Sequence, residues 1–247
     1  HMENLQPKQL EGEEISKEEA LEIIEKLPVL HDDIQYDFSD PIEVGTDSAV
    51  PIYSIIITGT EKDYPINVDI SKTGGKIVTM LNNRPVTENN MSQEEAIARA
   101  KEFLKSQGYE NLEITYTLKE DNILQLEFAN KDNDIYCYGD RVKVKIALDN
   151  GEVLGFESKD FLMNHCDRKF EKPKLSETEA KAKLNPNVQI ESSRLVMMPN
   201  ASGEEVLCYE FNSQYNGQNY LIYINAENGN EEDILQVFTD DNGSWAL

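Results

Sequence analysis

Ser-x-x-Glu-Ala occurs three times in this chain, at Ser16–Ala20, Ser92–Ala96 and Ser176–Ala180, spaced by 76 and 84 residues. Each interval is the size of one small domain, so the 247 residues read as one supersecondary unit used three times. The motif itself has a structural meaning. A serine followed three residues later by glutamate forms a capping box, in which the two side chains satisfy the first free amides of a helix reciprocally. Apolar residues succeed it at helical spacing. In the first unit these are Ala20, Ile23, Ile24 and Leu27, and in the second Ala96, Ala100, Phe103 and Leu104. Pro28 closes the first helix, Gly108 caps the second, and Asn185-Pro186 stops the third, which is expected from Glu177 to about Leu184.

Strand-like runs come after each helix. Unit one has Ile34–Phe38, Val50–Gly59, Tyr64–Ile70 and Lys76–Leu81; unit two has Leu112–Leu118, Ile123–Ala129, Val142–Leu148 and Glu152–Glu157. Unit three has Gln189–Met198, Glu205–Gln214, Asn219–Asn225 and Glu231–Phe238. Glycine turns close the last hairpin of each, at Ser71–Gly75, Asp149-Asn150-Gly151 and Glu227-Asn228-Gly229. Asp132–Asp140 reads as an extra loop. The expected fold class is α+β: three tandem modules, each a helix packed on an antiparallel sheet of about four strands. The boundaries are 1–14 for tag and leader, then 15–88, 89–172 and 173–247. His1-Met2 reads as a cloning scar, so the chain is taken as a fragment whose natural N-terminus lies upstream.

Charge narrows the partners. With 23 basic and 47 acidic residues the formal net charge is −24, a field that repels phosphate backbones and anionic lipid. No nucleic acid is expected as a partner, and no apolar run approaches the ~20 residues needed to span a bilayer. Cys137, Cys166 and Cys208 show neither a zinc spacing nor a disulfide framework, although one disulfide is not excluded by spacing.

No phosphate-binding loop, dinucleotide fingerprint, zinc-protease helix motif or nucleophile elbow is found in the sequence. His165-Cys166-Asp167 places three reactive types side by side, but neighbouring residues of extended chain point to opposite faces, which argues against a triad. The pairs Glu13-Glu14, Glu18-Glu19, Glu94-Glu95, Glu204-Glu205 and Glu231-Glu232 suggest a two-carboxylate hydrolase. So acidic a chain makes such pairs by composition, and several fall in helix first turns, where they offset the helix dipole. Asp149–Glu152 and Asp240–Gly243 look like pieces of a calcium loop, yet neither continues to the closing bidentate glutamate. Tyr209, Phe211, Tyr215, Tyr220, Tyr223 and Trp245 read mainly as core and cross-strand positions. No catalytic, cofactor or metal residue is assigned, no cofactor is expected, and the partner-binding residues are left unassigned.

A helix opened by Ser-x-x-Glu-Ala, followed by strands and a closing Asp/Glu-Asn-Gly hairpin, resembles the PepSY module. The stretches Lys143–Glu157, Phe161–His165, Leu207–Phe211 and Tyr223–Leu235 are similar to the C-terminal part of the YpeB family of spore germination proteins. The resemblance is particular across units two and three, while unit one carries only the general module pattern. It implies a non-enzymatic protein that binds, stabilises or restrains a SleB-type cortex-lytic transglycosylase until germination. It also implies a place on the extracytoplasmic side of the spore inner membrane, with membrane association only through an N-terminal segment outside this sequence. Peptidoglycan or a germination protease are the further partners implied. PepSY modules also suggest an alternative role, a protease inhibitor or wall-binding module unrelated to cortex hydrolysis. The connectors Thr87–Asn90 and Glu171–Lys174 are the expected sites of nicking, because exposed polar chain is where proteases cut.

Overall fold

A computed structural model describes residues 10–59, 64–240 and 243–246, with side chains described as far as Thr239. In chain order the elements are α1 (Lys17–Ile24), β1 (Tyr36–Phe38), β2 (Ile42–Val44), β3 (Ile52–Gly59), β4 (Ile66–Ser71), β5 (Ile77–Asn82) and α2 (Gln93–Ser106). Next come β6 (Leu112–Glu120), β7 (Ile123–Asp132), β8 (Ile135–Ala147), β9 (Val153–Glu157), α3 (Lys159–Asn164) and α4 (Glu177–Lys181). The chain ends in β10 (Gln189–Pro199), β11 (Glu205–Tyr215), β12 (Gln218–Asn225), β13 (Glu231–Asp240) and β14 (Gly243–Ala246). The fold is α+β. His1-Met2, Asp241 and Asn242 lie outside the described residues.

All three Ser-x-x-Glu-Ala segments form complete capping boxes. The anchoring of each cap is repeated as well. Just ahead of each cap, a backbone amide donates to a carbonyl in the closing turn: Ile15 to Lys72, Asn90 to Leu148 and Leu175 to Ala226, at 2.8–2.9 Å. Each closing turn is itself pinched by a matching backbone bond, the amide of Ser71 to Lys76, of Ala147 to Glu152 and of Asn225 to Asn230. Tyr53 and Tyr209 donate their hydroxyls to the Ile15 and Leu175 carbonyls, at 3.2 and 2.8 Å. Gly151 and Gly229 have φ near 77°, so a side chain there would be strained, and its Cβ would press on Met91 at the first and on Lys183 and Leu175 at the second.

The contacts divide the chain into two compact units. The first comprises residues up to Glu110, with Lys119–Glu127 and Val142–His165. Its antiparallel sheet runs β3-β4-β5-β9-β8, with β1 and β2 one after the other along the outer edge of β3. Strand alternation sorts the faces. Tyr53, Ile55 and Ile57 of β3 are buried, and their register partners Ile70, Val68 and Ile66 share that inner face. The helices cover it: Phe103 of α2 meets Phe156 of β9 edge-on, with ring centroids 5.3 Å apart, and Phe156 is paired with Met80. On the outer face α3 covers one end, where Leu162 and Met163 pack with Val50, Ile52 and Val78.

The second unit comprises Asn111–Leu118, Phe128–Arg141 and everything from Cys166 onward. Its strands run in the order β8-β10-β11-β12-β13-β14-β6-β7, and β7 pairs again with β8, so the sheet closes on itself. β8 and β10 run parallel, whereas the pairings from β10 through β14 to β6 are antiparallel. Ala180 of α4 packs outside the ring with Tyr209, Phe211, Ile222 and Ile224. The opposite faces of the same strands supply Val196, Met198, Cys208 and Tyr223, with Tyr136 and Tyr138 against them.

Several elements depart from the sequence expectation. Asp132–Asp140 is not a loop but the tip of the β7–β8 hairpin, turned by Asn133 and Asp134 at φ 49° and 62°. Asparagine and aspartate tolerate the left-handed region, so the turn forms without the glycine that usually marks it. Asp121-Asn122 does the same between β6 and β7. α4 stops at Lys181 because the residue before Pro186 is sterically kept out of helix and the preceding turn tightens. β2, α3 and β14 have no counterpart in the sequence pattern; at three, six and four residues they are too short for periodicity to show.

Candidate binding cleft

Between the end of α1 and the side of α2, the inner face of the first unit's sheet is left uncovered. The gap is a cleft of about 360 Å³. Its apolar lining is Pro28, Val29, Ile57, Ile66, Phe103 and Val153, with Tyr36 and Tyr64 at the side. That size and lining suit a few inserted side chains or a small ligand.

Its polar lining comes from Asn82, from Arg99, Glu102 and Ser106 of α2, and from His31, Asn150 and Glu152, the last three held by an ionic cage behind them. Arg84, just after β5, donates to both Asp149 carboxylate oxygens, from Nη1 at 2.7 Å and Nη2 at 2.9 Å. Its Nε donates to Glu152 Oε2 at 2.9 Å, and Nη2 also reaches Asn150 Oδ1 at 2.9 Å. Glu152 Oε1 lies 3.0 Å from His31 Nε2. One guanidinium therefore holds the whole Asp149–Glu152 turn in place through a bidentate pair. Hydrogen bonding from Arg84 keeps the Asp149 carboxyl below its usual range, against the opposing effect of burial, and the Asp149 bond in turn raises Arg84. The turn thus presents fixed dipoles to the cleft, and both of its carboxylates are engaged by Arg84.

The second unit carries two deeper charge clusters. Arg168, in the connector after α3, bonds both oxygens of fully buried Asp140 at 2.7 Å and both of Glu205 at 2.9 Å. Burial alone would lower Arg168; the bonds to Asp140 and Glu205 outweigh it and raise it. Glu210, inside the ring, accepts from Arg194 Nε at 2.7 Å and from the Tyr138 hydroxyl. Burial, then the neighbouring Glu210 charge, pushes the Tyr138 and Tyr223 hydroxyls up. Arg194 lies 4.2 Å from the centroid of the Tyr136 ring.

The residues weighed from sequence are scattered through the fold. His165 ends α3 and stacks on Phe161 at 4.4 Å, and Cys166 is exposed. Cys137 and Cys208 are free and buried, and burial pushes both thiols up to about 12, a setting for inert rather than reactive cysteine. Among the acidic pairs, Glu19 and Glu95 serve capping boxes, Glu14 pairs with Lys72, Glu205 with Arg168, and Glu232 accepts from Asn225. Asp149–Glu152 is a turn held by arginine. Among the described residues no group of acidic, histidine or cysteine side chains is arranged to hold a metal ion. Tyr209, Phe211 and Tyr223 are core; the Trp245 side chain lies outside the described residues. Sequence reasoning missed Arg84 and gave His31 no role, because their partners lie more than 60 positions away and share no motif.

Two family models match the chain, and both describe domains of PepSY type. A family model for the peptidase propeptide and YPEB domain matches residues 174–235. A second, for YpeB sporulation, PepSY1 and PepSY2 domains, matches residues 1–171, and the chain belongs to this family of sporulation proteins. It is 36% identical to the sporulation protein YpeB of Halalkalibacterium halodurans over 230 residues, covering 93% of this chain and 50% of that one. With the Bacillus subtilis protein of the same name it shares 36% identity, covering 92% and 50%. The chain therefore spans about half the length of the curated relatives it matches. The solved Bacillus megaterium YpeB C-terminal domain superposes with a TM-score of 0.81 at 33% identity, over 92% of this chain and all of that one. Among the described residues no helix is long and apolar enough to cross a membrane.

Proposed function

We propose that this chain is a non-enzymatic binding protein that holds, stabilises or restrains a SleB-type cortex-lytic transglycosylase until germination. In this reading it acts on the extracytoplasmic side of the spore inner membrane. The observation that carries the reading is the cleft. Its apolar floor is open, while the charged groups of its Asp149–Glu152 wall are held in ion pairs, which suits gripping a partner more than transferring protons. A partner bound only when folded is stabilised by linkage, and an enzyme whose groove is covered is inhibited by competition. The thrice-repeated junction of cap and turn supports reading the chain as three PepSY-like modules, over 15–88, 89–172 and 173–247.

Cortex digestion by the cognate SleB-type enzyme, with and without this chain and alongside a binding titration, tests the proposal. Binding with suppressed digestion is expected if the chain restrains the enzyme, and binding with slower proteolysis of the enzyme if it protects it. Absence of binding would overturn the reading.

A further inference from the structure

The outer face of the first unit's sheet is covered by α3 at one end only. Register shows what the rest presents. Ile52, Ser54, Ile56 and Thr58 alternate with the buried residues of β3, so they point outward. Val44 pairs with Ile52, Ile42 with Ser54, and Asp37 with Thr58, and paired residues share a face. On β4 the same face carries Asn67 and Asp69. Ile42, Val44 and Ile56 are 64, 46 and 47% exposed, and they are three of the five large apolar residues that are exposed among those described. Scattered singly, such residues would mean nothing; gathered on one face, they mark a contact surface.

The charge around them has one sign. The stretch from Asp32 through Asp47 holds six carboxylates and no lysine or arginine. Glu43 faces inward with Tyr53 and is bonded to Lys72 at 3.1 Å. Asp37 and Asp69 lie on the outer face, and exposed Asp40 and Asp47 sit in the loops flanking β2. Among the described residues, no ion pair of the unit engages these four aspartates.

The edge of the sheet is closed to strand addition. Phe38 pairs with Ile57 and Ile42 with Ser54, so Ser39, Asp40 and Pro41 oppose only Ile55 and Ile56, which is a bulge. Pro41 has no amide to donate, and β1 and β2 are three residues each. These are the devices that keep an edge from pairing. A partner must therefore lie on the face. A second copy of this chain would bring aspartates against aspartates at a net charge of −24 per chain, and anionic lipid is repelled in the same way.

We infer that this face, centred on Ile42, Val44 and Ile56, docks a partner protein through a surface that is apolar at its centre and basic at its rim. The inference rests on the binding role proposed above and locates a contact for it outside the cleft. Apolar side chains supply the affinity and the aspartates supply orientation and association rate.

The test uses the whole chain, a variant carrying Ile42→Ser, Val44→Ser and Ile56→Ser, and the control Ile234→Ser, whose residue is 47% exposed in the second unit. Two probes are titrated: the cognate SleB-type enzyme, and a synthetic lysine–leucine amphipathic helix. Hydrogen exchange is monitored at residues 42–44 and 52–58. The triple variant should weaken enzyme binding by about tenfold or more, as loss of a central apolar cluster does. Ile234→Ser should leave it unchanged, and the wild-type exchange should slow over this face with either probe. Enzyme binding that the triple variant does not alter overturns this inference while leaving the proposed role intact. If the enzyme does not bind at all, the role fails. The peptide then decides the inference: slowed exchange on this face upholds it, and slowing elsewhere or nowhere overturns it.

Discussion

In the first unit the sheet ends at a bulged edge and leaves one face partly bare, whereas in the second the strands return to β8 and the sheet encloses its own interior. The charges track this difference. Arg84 and Asp149 keep 15 and 24% of their side chains exposed, while Asp140 is fully buried and Glu210 is 5% exposed. Where water reaches a charge, partial pairing is enough. Carboxylates buried as deeply as Asp140 and Glu210 must be met by arginine or hydroxyl donors, because an unpaired buried charge costs several kcal/mol. The second unit therefore stakes more on each polar residue than the first does.

Replacing Arg168 by alanine should break this contrast most severely. It strands Asp140 in the interior, and the expected loss is about 3–5 kcal/mol in urea unfolding. A loss below that of Arg84→Ala would mean the cluster around Asp140 stays wet, and the comparison would collapse. Arg84→Ala itself should cost roughly 1–2 kcal/mol, discounted for the cage's partial exposure. It should also return the Asp149 carboxyl toward its ordinary range. A carboxylate whose pKa is depressed on folding adds stability above its unfolded value and loses it as pH falls through the folded one. Wild-type stability should thus fall with acidification below about pH 4 more steeply than that of Arg84→Ala, as read by urea midpoints across pH.

Ser92→Ala should cost about 1 kcal/mol by removing one capping box. The Ser92 backbone amide and then the Ser92 hydroxyl hold Glu95 below its usual range, so titration by NMR should show it lowered in the wild type and less so in the variant. An unmoved Glu95 would show that the box does not form in solution. The smallest effect is expected on the bare face. Ile42→Ser should change stability by no more than about 0.5 kcal/mol, since the residue is solvent-exposed already. A larger loss would mean the face is packed and not open.

Much of the local structure is legible in the sequence. Ser16, Ser92 and Ser176 each accept the amide expected of a cap, and Gly151 and Gly229 take the positive φ that their turns require. The tip at Asn133-Asp134 is not legible, since a two-residue turn without glycine resembles any polar loop. Nothing marks Arg84 or Arg168 either. Their partners lie 65 and 28 positions away, and an arginine facing an aspartate across a fold leaves no spacing to read.

By itself, the sequence determined the α+β class, the three capped helices, the closing turns and the alternation that assigns strand residues to a face. All of these are set by neighbours a few positions apart, through hydrogen bonds and backbone sterics that short-range pattern records. Tertiary structure alone decided which sheet closes and which stays open. It also decided which carboxylates are buried beside an arginine, and that Ile42, Val44 and Ile56 share one exposed face. Those outcomes depend on which strands meet, and strand pairing is settled by the combined burial of residues far apart in the chain.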